Sequence, residues 1–438
     1  MTLIFIRRLF SILYVILVVG VCLSRGKDQL YKNYVVYEVF SENEEHLNIL
    51  RQLGDSSDSL IFPFGFYPVD GAVHVVGAPH KIPDFLLILS MHHIQYKKNI
   101  SNLQQHLDTI DAELESDDIT KRSLFSYNWK SYKSLKRTYT WMTNLVTKFP
   151  NLVELLDLGD SYEGRKIYAI KISSQDNKPR PGIFVEAGIH GREWIAPATA
   201  TFIINALLKS DNEEVKEIAK NYDWYIVPHA NPDGYEYSRT TDRLWRKTRT
   251  PYMQWFGADP NRNWGYRWRE IGASSVPYES NYAGPYPFSE KATAVLSNFI
   301  ELNKEKIQLY VSIHSFSQLI LYPYAYTSKL PENAKDLESV AKEAIAALEK
   351  PYGTKYTSGP IYSTIYPSAG TSIDWIYGEA DIKMAFTYEL RPHNKNQPIK
   401  VGMQLPTRQI EPTGMETLAS LIAMIKKIKN LGYFDTSK

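Results

Sequence analysis

The feature that most constrains the fold of this 438-residue chain is an alternation of two patterns after Arg122. Short apolar runs typical of buried strands recur there, and amphipathic helical patterns lie between them. The clearest runs span residues 182–187, 224–228, 309–312 and 384–390, and a clear helix spans residues 334–350. This alternation is typical of an α/β sheet covered by helices on both faces. A capping box formed by Thr413 and Glu416 predicts the start of the last helix.

The residues before Arg122 form a smaller predicted α+β unit. Strand-like runs cover residues 34–40, 72–76 and 84–90, and helical spacing covers residues 47–53 and 101–114. An acidic, apolar-poor segment then ends in Lys121-Arg122. Such a segment is typical of an exposed linker open to a trypsin-like protease. We therefore predict a domain boundary at Arg122.

The first residues are typical of a secretory signal peptide. Arg7 and Arg8 precede an apolar run that ends at Leu23 and is shorter than the about 20 residues of a membrane-spanning helix. Cys22, the only cysteine, lies in this run, so the exported chain would form no disulfide. An N-glycosylation sequon at Asn99 agrees with export. We predict a signal peptide over residues 1–24, a second unit over 25–122 and a main domain over 123–438.

Composition excludes several classes of protein. Lysine and arginine number 50 and aspartate and glutamate 48, so the net charge is only +2. This balance lacks the positive charge of a nucleic-acid binder, and we expect no nucleic-acid partner. Hydrophobic residues at 44% and charged residues at 22% argue against a disordered or fibrous chain. We expect a secreted, extracellular monomer that has no membrane association once the signal peptide is removed.

Histidines are scarce after Arg122, which narrows the search for chemistry. Only His190, His229, His314 and His393 occur there. His190 and Glu193 follow one apolar run and His314 ends another, and open α/β sheets bind ligands at the carboxyl ends of strands. Two imidazoles and one carboxylate leave a fourth zinc position for water, as in catalytic sites. The alternative, that each histidine is an ordinary polar residue at a strand end, stays open on this pattern alone.

Other nucleophiles have little support, because this region has no cysteine and no G-x-S-x-G motif. A metal-activated water would need a base, and Glu389 lies near the end of the strand-like run 384–390. A salt bridge between Glu389 and Arg391 at an edge strand would explain the same carboxylate equally well. Local sequence does not decide between these two interpretations.

Four further motifs indicate what kind of site the histidines and Glu389 belong to. They are Asn231-Pro-Asp-Gly, Arg243-Leu-Trp-Arg246-Lys-Thr-Arg, Asp259-Pro-Asn261-Arg262-Asn-Trp and Tyr366-Pro-Ser-Ala-Gly-Thr-Ser-Ile373-Asp-Trp. With the histidine motifs, they match the carboxypeptidase A/B family of zinc metallopeptidases in order and approximate spacing. The chain resembles this family from about Tyr127 to its end, and residues 30–122 more loosely resemble the family's activation peptide. The resemblance implies a mixed, largely parallel twisted sheet, preceded by a ferredoxin-like activation domain.

The resemblance also implies a role for each matching residue. His190, Glu193 and His314 match ligands of one zinc ion, and Glu389 matches the general base that deprotonates the zinc-activated water. Arg246 matches the residue that polarises the scissile carbonyl, and Asp259 the carboxylate that orients His190. The side chains that match binding sites for the substrate's terminal carboxylate are Arg192, Asn261, Arg262 and Tyr366.

Ile373 matches the floor of the family's specificity pocket, where a carboxylate selects Lys or Arg and an aliphatic side chain selects apolar termini. The matching wall positions, also uncharged, are Leu321, Ala325, Ile361 and Thr387. An unpaired charge buried against them would cost several kcal/mol. We therefore predict an A-type enzyme that removes apolar or aromatic residues from peptide and protein C-termini. Trp255 and Tyr278 stand where vertebrate digestive members have a disulfide, and aromatic packing is expected there instead.

We predict that the protein is made as an inactive zymogen, which a trypsin-like protease activates by cleavage near Arg122. A different class of function is a secreted zinc protein that binds peptide C-termini without cutting them. Glu389 discriminates between the two, because a binding protein needs no base beside the water.

Overall fold

The computed structural model describes residues 30–55, 59–62, 72–105, 107–108, 127–174, 176, 178–392 and 403–434. The predicted signal peptide, the Lys121-Arg122 cleavage region and His393 lie outside these residues. In the part of the chain that is described, no helix is both long and apolar enough to span a bilayer.

The N-terminal unit is a four-stranded antiparallel sheet with two described helices and further helical residues at 103–105 and 107–108. Its strands are β1 (Val35–Phe40), β2 (Leu60–Ile61), β3 (Val73–Gly77) and β4 (Gln95–Ile100), and its helices are α1 (Glu44–Asp55) and α2 (Ile82–Met91). The strand order is β2-β3-β1-β4. Tyr37, Val39, Val73 and Val75 alternate along β1 and β3 toward a core shared with both helices. The predicted small α+β domain is confirmed.

One prediction for this unit was wrong. Residues 84–90 lie in helix α2, not in a strand, and the strand at this point of the chain is β4. A short continuous apolar run does not distinguish a strand from a buried helix. Phe85 and Leu89, four residues apart, are the side chains that this helix buries, and Pro83 lies in its first turn, where proline is tolerated.

The main domain contains an eight-stranded mixed sheet and a separate two-stranded ribbon. Its strands are β5 (Val153–Asp160), β6 (Lys166–Ile172), β7 (Gly182–Ala187), β8 (Asp223–Val227), β9 (Pro251–Tyr252), β10 (Trp255–Phe256), β11 (Ile307–Ser315), β12 (Leu319–Tyr322), β13 (Thr357–Pro360) and β14 (Ala385–Leu390). The order in the large sheet is β13-β12-β14-β11-β7-β8-β6-β5. The central strands β14, β11, β7 and β8 are parallel.

Helices cover both faces of the large sheet. They are α3 (Leu135–Lys148), α4 (Ile195–Lys209), α5 (Glu213–Asn221), α6 (Pro232–Thr240), α7 (Lys291–Asn303), α8 (Ala334–Tyr352), α9 (Ile361–Thr364), α10 (Ser372–Gly378) and α11 (Ile410–Asn430). Alternate residues of each central strand belong to two separate hydrophobic clusters, one on each face. The predicted α/β architecture is confirmed.

The last helix begins earlier than the capping box predicted. Helix α11 starts at Ile410, so Thr413 and Glu416 lie inside it. The Thr413 hydroxyl donates to the Gln409 carbonyl, and the buried Glu416 accepts from Nε of Arg391 at 2.7 Å. Pro412 is tolerated because amides in the first turn have no helical partner. The Thr-x-x-Glu pattern therefore reflects a tertiary ion pair and not a cap.

Candidate active site

Three predicted ligands meet at the carboxyl ends of neighbouring parallel strands. His190 and Glu193 follow β7, and His314 lies near the end of β11, which pairs directly with β7. Nδ1 of His190 lies 2.7 Å from Oε1 of Glu193, and Nδ1 of His314 lies 3.1 Å from Oε2 of the same carboxylate. One ligand atom from each residue lies within 4.8 Å of the others, and all three side chains are buried. This is a compact N, N, O donor set.

The opposite edges of both rings are held by other side chains. Nε2 of His190 lies 3.2 Å from Asp259, and Nε2 of His314 lies 3.5 Å from the amide nitrogen of Asn261. These contacts leave the Nδ1 atoms of the two rings only 3.2 Å apart. Burial opposes ionisation of Glu193, but the adjacent His190 and His314 outweigh it and lower the pKa of Glu193 far below its usual range. A negative carboxylate beside two converging ring nitrogens suits a divalent cation.

Glu389 enters the same cavity from the next strand, near the end of β14. Burial raises the pKa of Glu389 above its ordinary value, although His314 opposes this shift. The alternative explanation for this carboxylate was an edge-strand salt bridge with Arg391. Strand β14 is internal to the sheet, and the Arg391 guanidinium instead binds Glu416 and Gln409.

Arg246 lies beside the ligand cluster. Its Nε donates to Asp259 at 2.9 Å, and its Nη1 lies 3.2 Å from Nδ1 of His190. Burial favours a protonated Asp259, but Arg246 and Arg262 outweigh this and hold the pKa of Asp259 well below its usual value. Asp259 therefore fixes both a ring of the ligand cluster and the guanidinium next to it.

The segment that carries Arg246 is anchored by a buried carboxylate that sequence reasoning missed. Glu290 accepts from the hydroxyls of Thr248, Thr250 and Tyr252, with 2.7 Å for Thr250. The only indication of it in the sequence was the run of hydroxyl side chains at every second position, at Thr248, Thr250 and Tyr252. Trp255 and Tyr278 pack with ring centroids 5.6 Å apart, as expected for aromatic packing in place of a disulfide.

The predicted carboxylate-binding residues line the same cavity. Asn261 accepts from the Ser372 amide at 2.9 Å, and Arg262 donates to the Gly272 carbonyl at 3.1 Å. The Arg262 guanidinium lies 5.8 Å from the centroid of the Tyr366 ring. Arg192 is buried and lines this cavity and a neighbouring one. The structure thus brings the predicted ligands, the predicted base and the predicted carboxylate-binding residues to one cavity.

Beyond these cationic groups the cavity is bordered by uncharged side chains. Ile373, Leu321, Ile361 and Thr387 line it. Ala325 does not line it but is buried behind the wall, where its amide donates to Asp374 at 2.9 Å. Burial raises the pKa of Asp374 to about 7. Sequence reasoning missed this carboxyl group, although an acidic residue in the first turn of a helix was a signal for it.

The N-terminal unit packs against the mouth of the site. The Tyr31 hydroxyl donates to Asp242 at 3.0 Å, and Leu244 packs against the apolar cluster that contains Val36 and Val76. A second cavity of about 210 Å³ lies between the two domains, and both Arg192 and Arg246 border it. Two side chains of the site therefore face the N-terminal unit directly.

Comparison with known proteins identifies this arrangement. The chain matches the family described as zinc carboxypeptidase over residues 138–420 and the family described as carboxypeptidase activation peptide over residues 37–109. This chain belongs to the zinc carboxypeptidase family. It is a zymogen of an exopeptidase that hydrolyses peptide bonds with zinc as cofactor.

Individual relatives cover nearly the whole chain. Zinc carboxypeptidase A 1 of Drosophila melanogaster is 50% identical over 98% of this chain and 98% of that one. Carboxypeptidase B of Rattus norvegicus is 35% identical over 93% of this chain and 97% of that one. The crystal structure of carboxypeptidase A from Helicoverpa armigera has a TM-score of 0.83 at 26% identity and covers 91% of this chain and 98% of that one. These relatives carry both A-type and B-type names.

Proposed function

We propose that this zinc carboxypeptidase is secreted and removes uncharged apolar or aromatic residues from the C-termini of peptides and proteins. The observation that carries the substrate preference is Ile373, which lines the cavity that Asn261, Arg262 and Tyr366 also line. Among the described residues that line the cavity, the acidic ones are Glu193, a proposed zinc ligand, and Glu389, the proposed base. No further carboxylate is present among them to pair with a cationic C-terminal side chain. A Lys or Arg side chain would lose its hydration without gaining a partner.

We assign His190, Glu193 and His314 as the zinc ligands. When bound, zinc supplies Lewis-acid chemistry that lowers the pKa of a water molecule and polarises a carbonyl group. Asp259 holds His190 with Nδ1 toward the metal position, and Asn261 lies against the far edge of His314. The donor set fits a catalytic site, because three protein ligands leave one position open.

Glu389 is the proposed general base. It is half-buried and lines the cavity beside His314, where a carboxylate could accept a proton from the metal-activated water and return it to the leaving amine. Arg246 is the proposed electrophile toward the scissile carbonyl. Its guanidinium is already oriented by Asp259, so stabilising the developing oxyanion needs little reorganisation.

Arg262 is the proposed main partner of the terminal carboxylate, since a guanidinium can bind a carboxylate through two parallel hydrogen bonds. Asn261 and Tyr366 complete this clamp, and Arg192 forms an outer position on the route to it. A site that senses a free carboxylate selects chain ends and rejects internal peptide bonds.

The domain division at Arg122 and the trypsin-like activating protease are part of this proposal. Tyr31 and the apolar cluster around Val36 hold the N-terminal unit over Arg192 and Arg246, which would exclude long peptides. Cleavage in the linker would release this cover. The signal segment over residues 1–24 supports secretion.

A single experiment tests the proposal. The full precursor is purified from culture medium, treated with trypsin and assayed with blocked dipeptides that end in Phe, Leu, Trp, Arg or Glu. We expect activity to rise on cleavage near Arg122, to favour Phe, Leu or Trp, and to vanish with a zinc chelator. Faster hydrolysis of the Arg substrate would overturn the substrate preference, and activity unchanged by trypsin would overturn the activation step.

A further inference from the structure

The Asn231-Pro-Asp-Gly motif connects strand β8 to helix α6. Asn231 is buried, and its Oδ1 accepts from the Gly234 amide at 2.9 Å, which caps the helix. The four residues of the motif are not among the described residues that line the cavity of the proposed active site. Capping uses the oxygen of the side-chain amide and leaves its two N–H groups for other partners.

The amide nitrogen of Asn231 binds two other segments at once. Nδ2 donates to the Ile189 carbonyl and to the Lys247 carbonyl, at 3.1 Å in each case. Ile189 directly precedes the proposed zinc ligand His190, and Lys247 directly follows the proposed electrophile Arg246. One side chain therefore joins the backbones beside two groups of the proposed active site.

These segments approach one another closely. The Gly191 amide donates to the Arg246 carbonyl at 3.1 Å. A Cβ atom at position 234 would collide with the Asn231 amide nitrogen and with the Lys247 carbonyl, so a glycine is required at the end of the motif. A carboxylate at position 231 could still cap the helix but has no N–H to donate to either carbonyl. The contact between the two segments thus depends on the amide nitrogen of Asn231.

We propose that Asn231 is a positioning residue, which holds Arg246 at its working distance from the metal site. The inference rests on the proposed role of Arg246 as the electrophile. Asp259 holds the guanidinium of Arg246, and Asn231 holds the backbone that carries it. Since Arg246 would act mainly on charge that develops in the transition state, displacing it should lower kcat and change substrate binding little.

Asn231→Asp tests this role, because it keeps the cap of helix α6 and removes both donors. In the trypsin-activated enzyme at saturating zinc we expect kcat to fall about tenfold and KM to stay within about twofold. Bound zinc, measured by metal analysis, should stay at one ion per chain, because the His190 ring is held separately by Asp259. Asn231→Ser also keeps a cap, adds no buried charge and is too short to reach both carbonyls, so it should have the same effect.

A double-variant cycle with Arg246→Ala separates positioning from a general loss of structure. Without the guanidinium, Asn231 has nothing to position, so Asn231→Asp should lower the remaining kcat less than about twofold. A merely structural role would give the same loss of kcat in both backgrounds.

Asn333→Asp is the matched control. The Asn333 amide donates to the Lys383 carbonyl at 3.1 Å at the start of helix α8, and Asn333 is not among the described residues that line the cavity. The change removes a comparable hydrogen bond far from Arg246 in the chain, and kcat should stay within about twofold of wild type.

Two results would overturn the inference: wild-type kcat in both Asn231 variants, or an equal loss of kcat with and without Arg246. Failure of the proposed role of Arg246 is distinguishable, because Arg246→Ala alone would then keep the wild-type kcat. Thermal unfolding of each variant shows whether the fold is intact at the assay temperature.

Discussion

His314 and Glu389 are direct register partners on the adjacent parallel strands β11 and β14. The backbone hydrogen bonds of the sheet therefore set the separation between a proposed zinc ligand and the proposed base. His190 and Glu193 follow β7, the strand on the other side of β11. Three neighbouring strands thus place the reacting groups at one edge, where a rigid scaffold holds them more accurately than loops would.

Glu389→Gln tests the base. The amide keeps the size of the side chain but cannot accept the proton, and we expect kcat to fall by about 10²–10⁴-fold. Bound zinc, measured by metal analysis, should stay at one ion per chain because Glu389 is not a proposed ligand. Retention of more than a tenth of wild-type kcat would rule Glu389 out as the base.

Asp259→Asn tests the support of the metal site. Asp259 contacts both His190 and Arg246, so its loss should weaken zinc binding by about 10–100-fold and lower kcat as well. Competition with a chelator of known affinity measures the first effect. Saturating zinc should restore only part of the rate, because Arg246 would remain misplaced. Full recovery at saturating zinc would contradict the second role.

Ile373→Asp tests the specificity pocket. A carboxylate at this position gives a cationic side chain a partner, so the ratio of kcat/KM for Arg over Phe substrates should rise by more than about tenfold. Ile373→Val is the matched control and should keep the apolar preference. An Asp variant that still favours Phe as strongly as the wild type would show that Ile373 does not contact the substrate side chain.

The overall fold and the metal-ligand cluster could be predicted from the sequence more reliably than the type and ends of single helices. His190 and His314 come just after apolar runs of strand length, and Glu389 lies near the end of a third. The order of these motifs matched one family, which implied both the fold and the cluster. Helix α2 was predicted as a strand because a short apolar run such as Phe85–Leu89 fits a buried strand and a buried helix equally well. Whether such a run forms a helix or a strand depends on how it packs against the sheet, and this tertiary packing is not visible in the local sequence.

Contacts between distant segments were likewise hidden. Glu416 binds Arg391 rather than capping a helix, and nothing in the neighbouring residues indicates that partner. Glu186 and Asp374 are buried carboxyl groups whose roles depend on strands and loops far away in the chain. A pattern of local periodicity carries no information about such pairs.

Tyr31→Phe tests the contact between the two domains. The Tyr31 hydroxyl donates to the half-buried Asp242, and losing this one hydrogen bond should weaken the closed arrangement by about 1 kcal/mol. Residual activity of the uncleaved zymogen on a small substrate should therefore rise severalfold. After trypsin treatment the two enzymes should be identical, because Tyr31 leaves with the N-terminal unit. A difference that persists after cleavage would place the effect elsewhere.

His229 predicts a dependence of stability on pH that is separate from the zinc site. It is buried against Tyr235, with ring centroids 4.4 Å apart, and neither ring nitrogen hydrogen-bonds to a described residue. Burial, with Arg239 adding, lowers the pKa of His229 to about 3. The unfolded chain takes up a proton near pH 6.5 but the folded chain does not, so stability is present above this pH and is lost as pH falls. Between pH 6.5 and pH 5.5 the loss is about 1 kcal/mol.

His229→Phe should remove this loss, because phenylalanine fills the site and does not titrate. Urea unfolding of the zymogen at pH 7.5 and pH 5.5 gives the free energy of unfolding of the variant and of the wild type. The difference between the two proteins is compared at each pH, because the effect of protons taken up by other groups then cancels. Relative to wild type, the variant should be more stable at pH 5.5 than at pH 7.5 by about 1.4 kcal/mol. His80→Phe, at an exposed histidine of the N-terminal unit, is the matched control and should show no such gain. Equal pH dependence in His229→Phe and wild type would mean that the buried ring is protonated in the folded state.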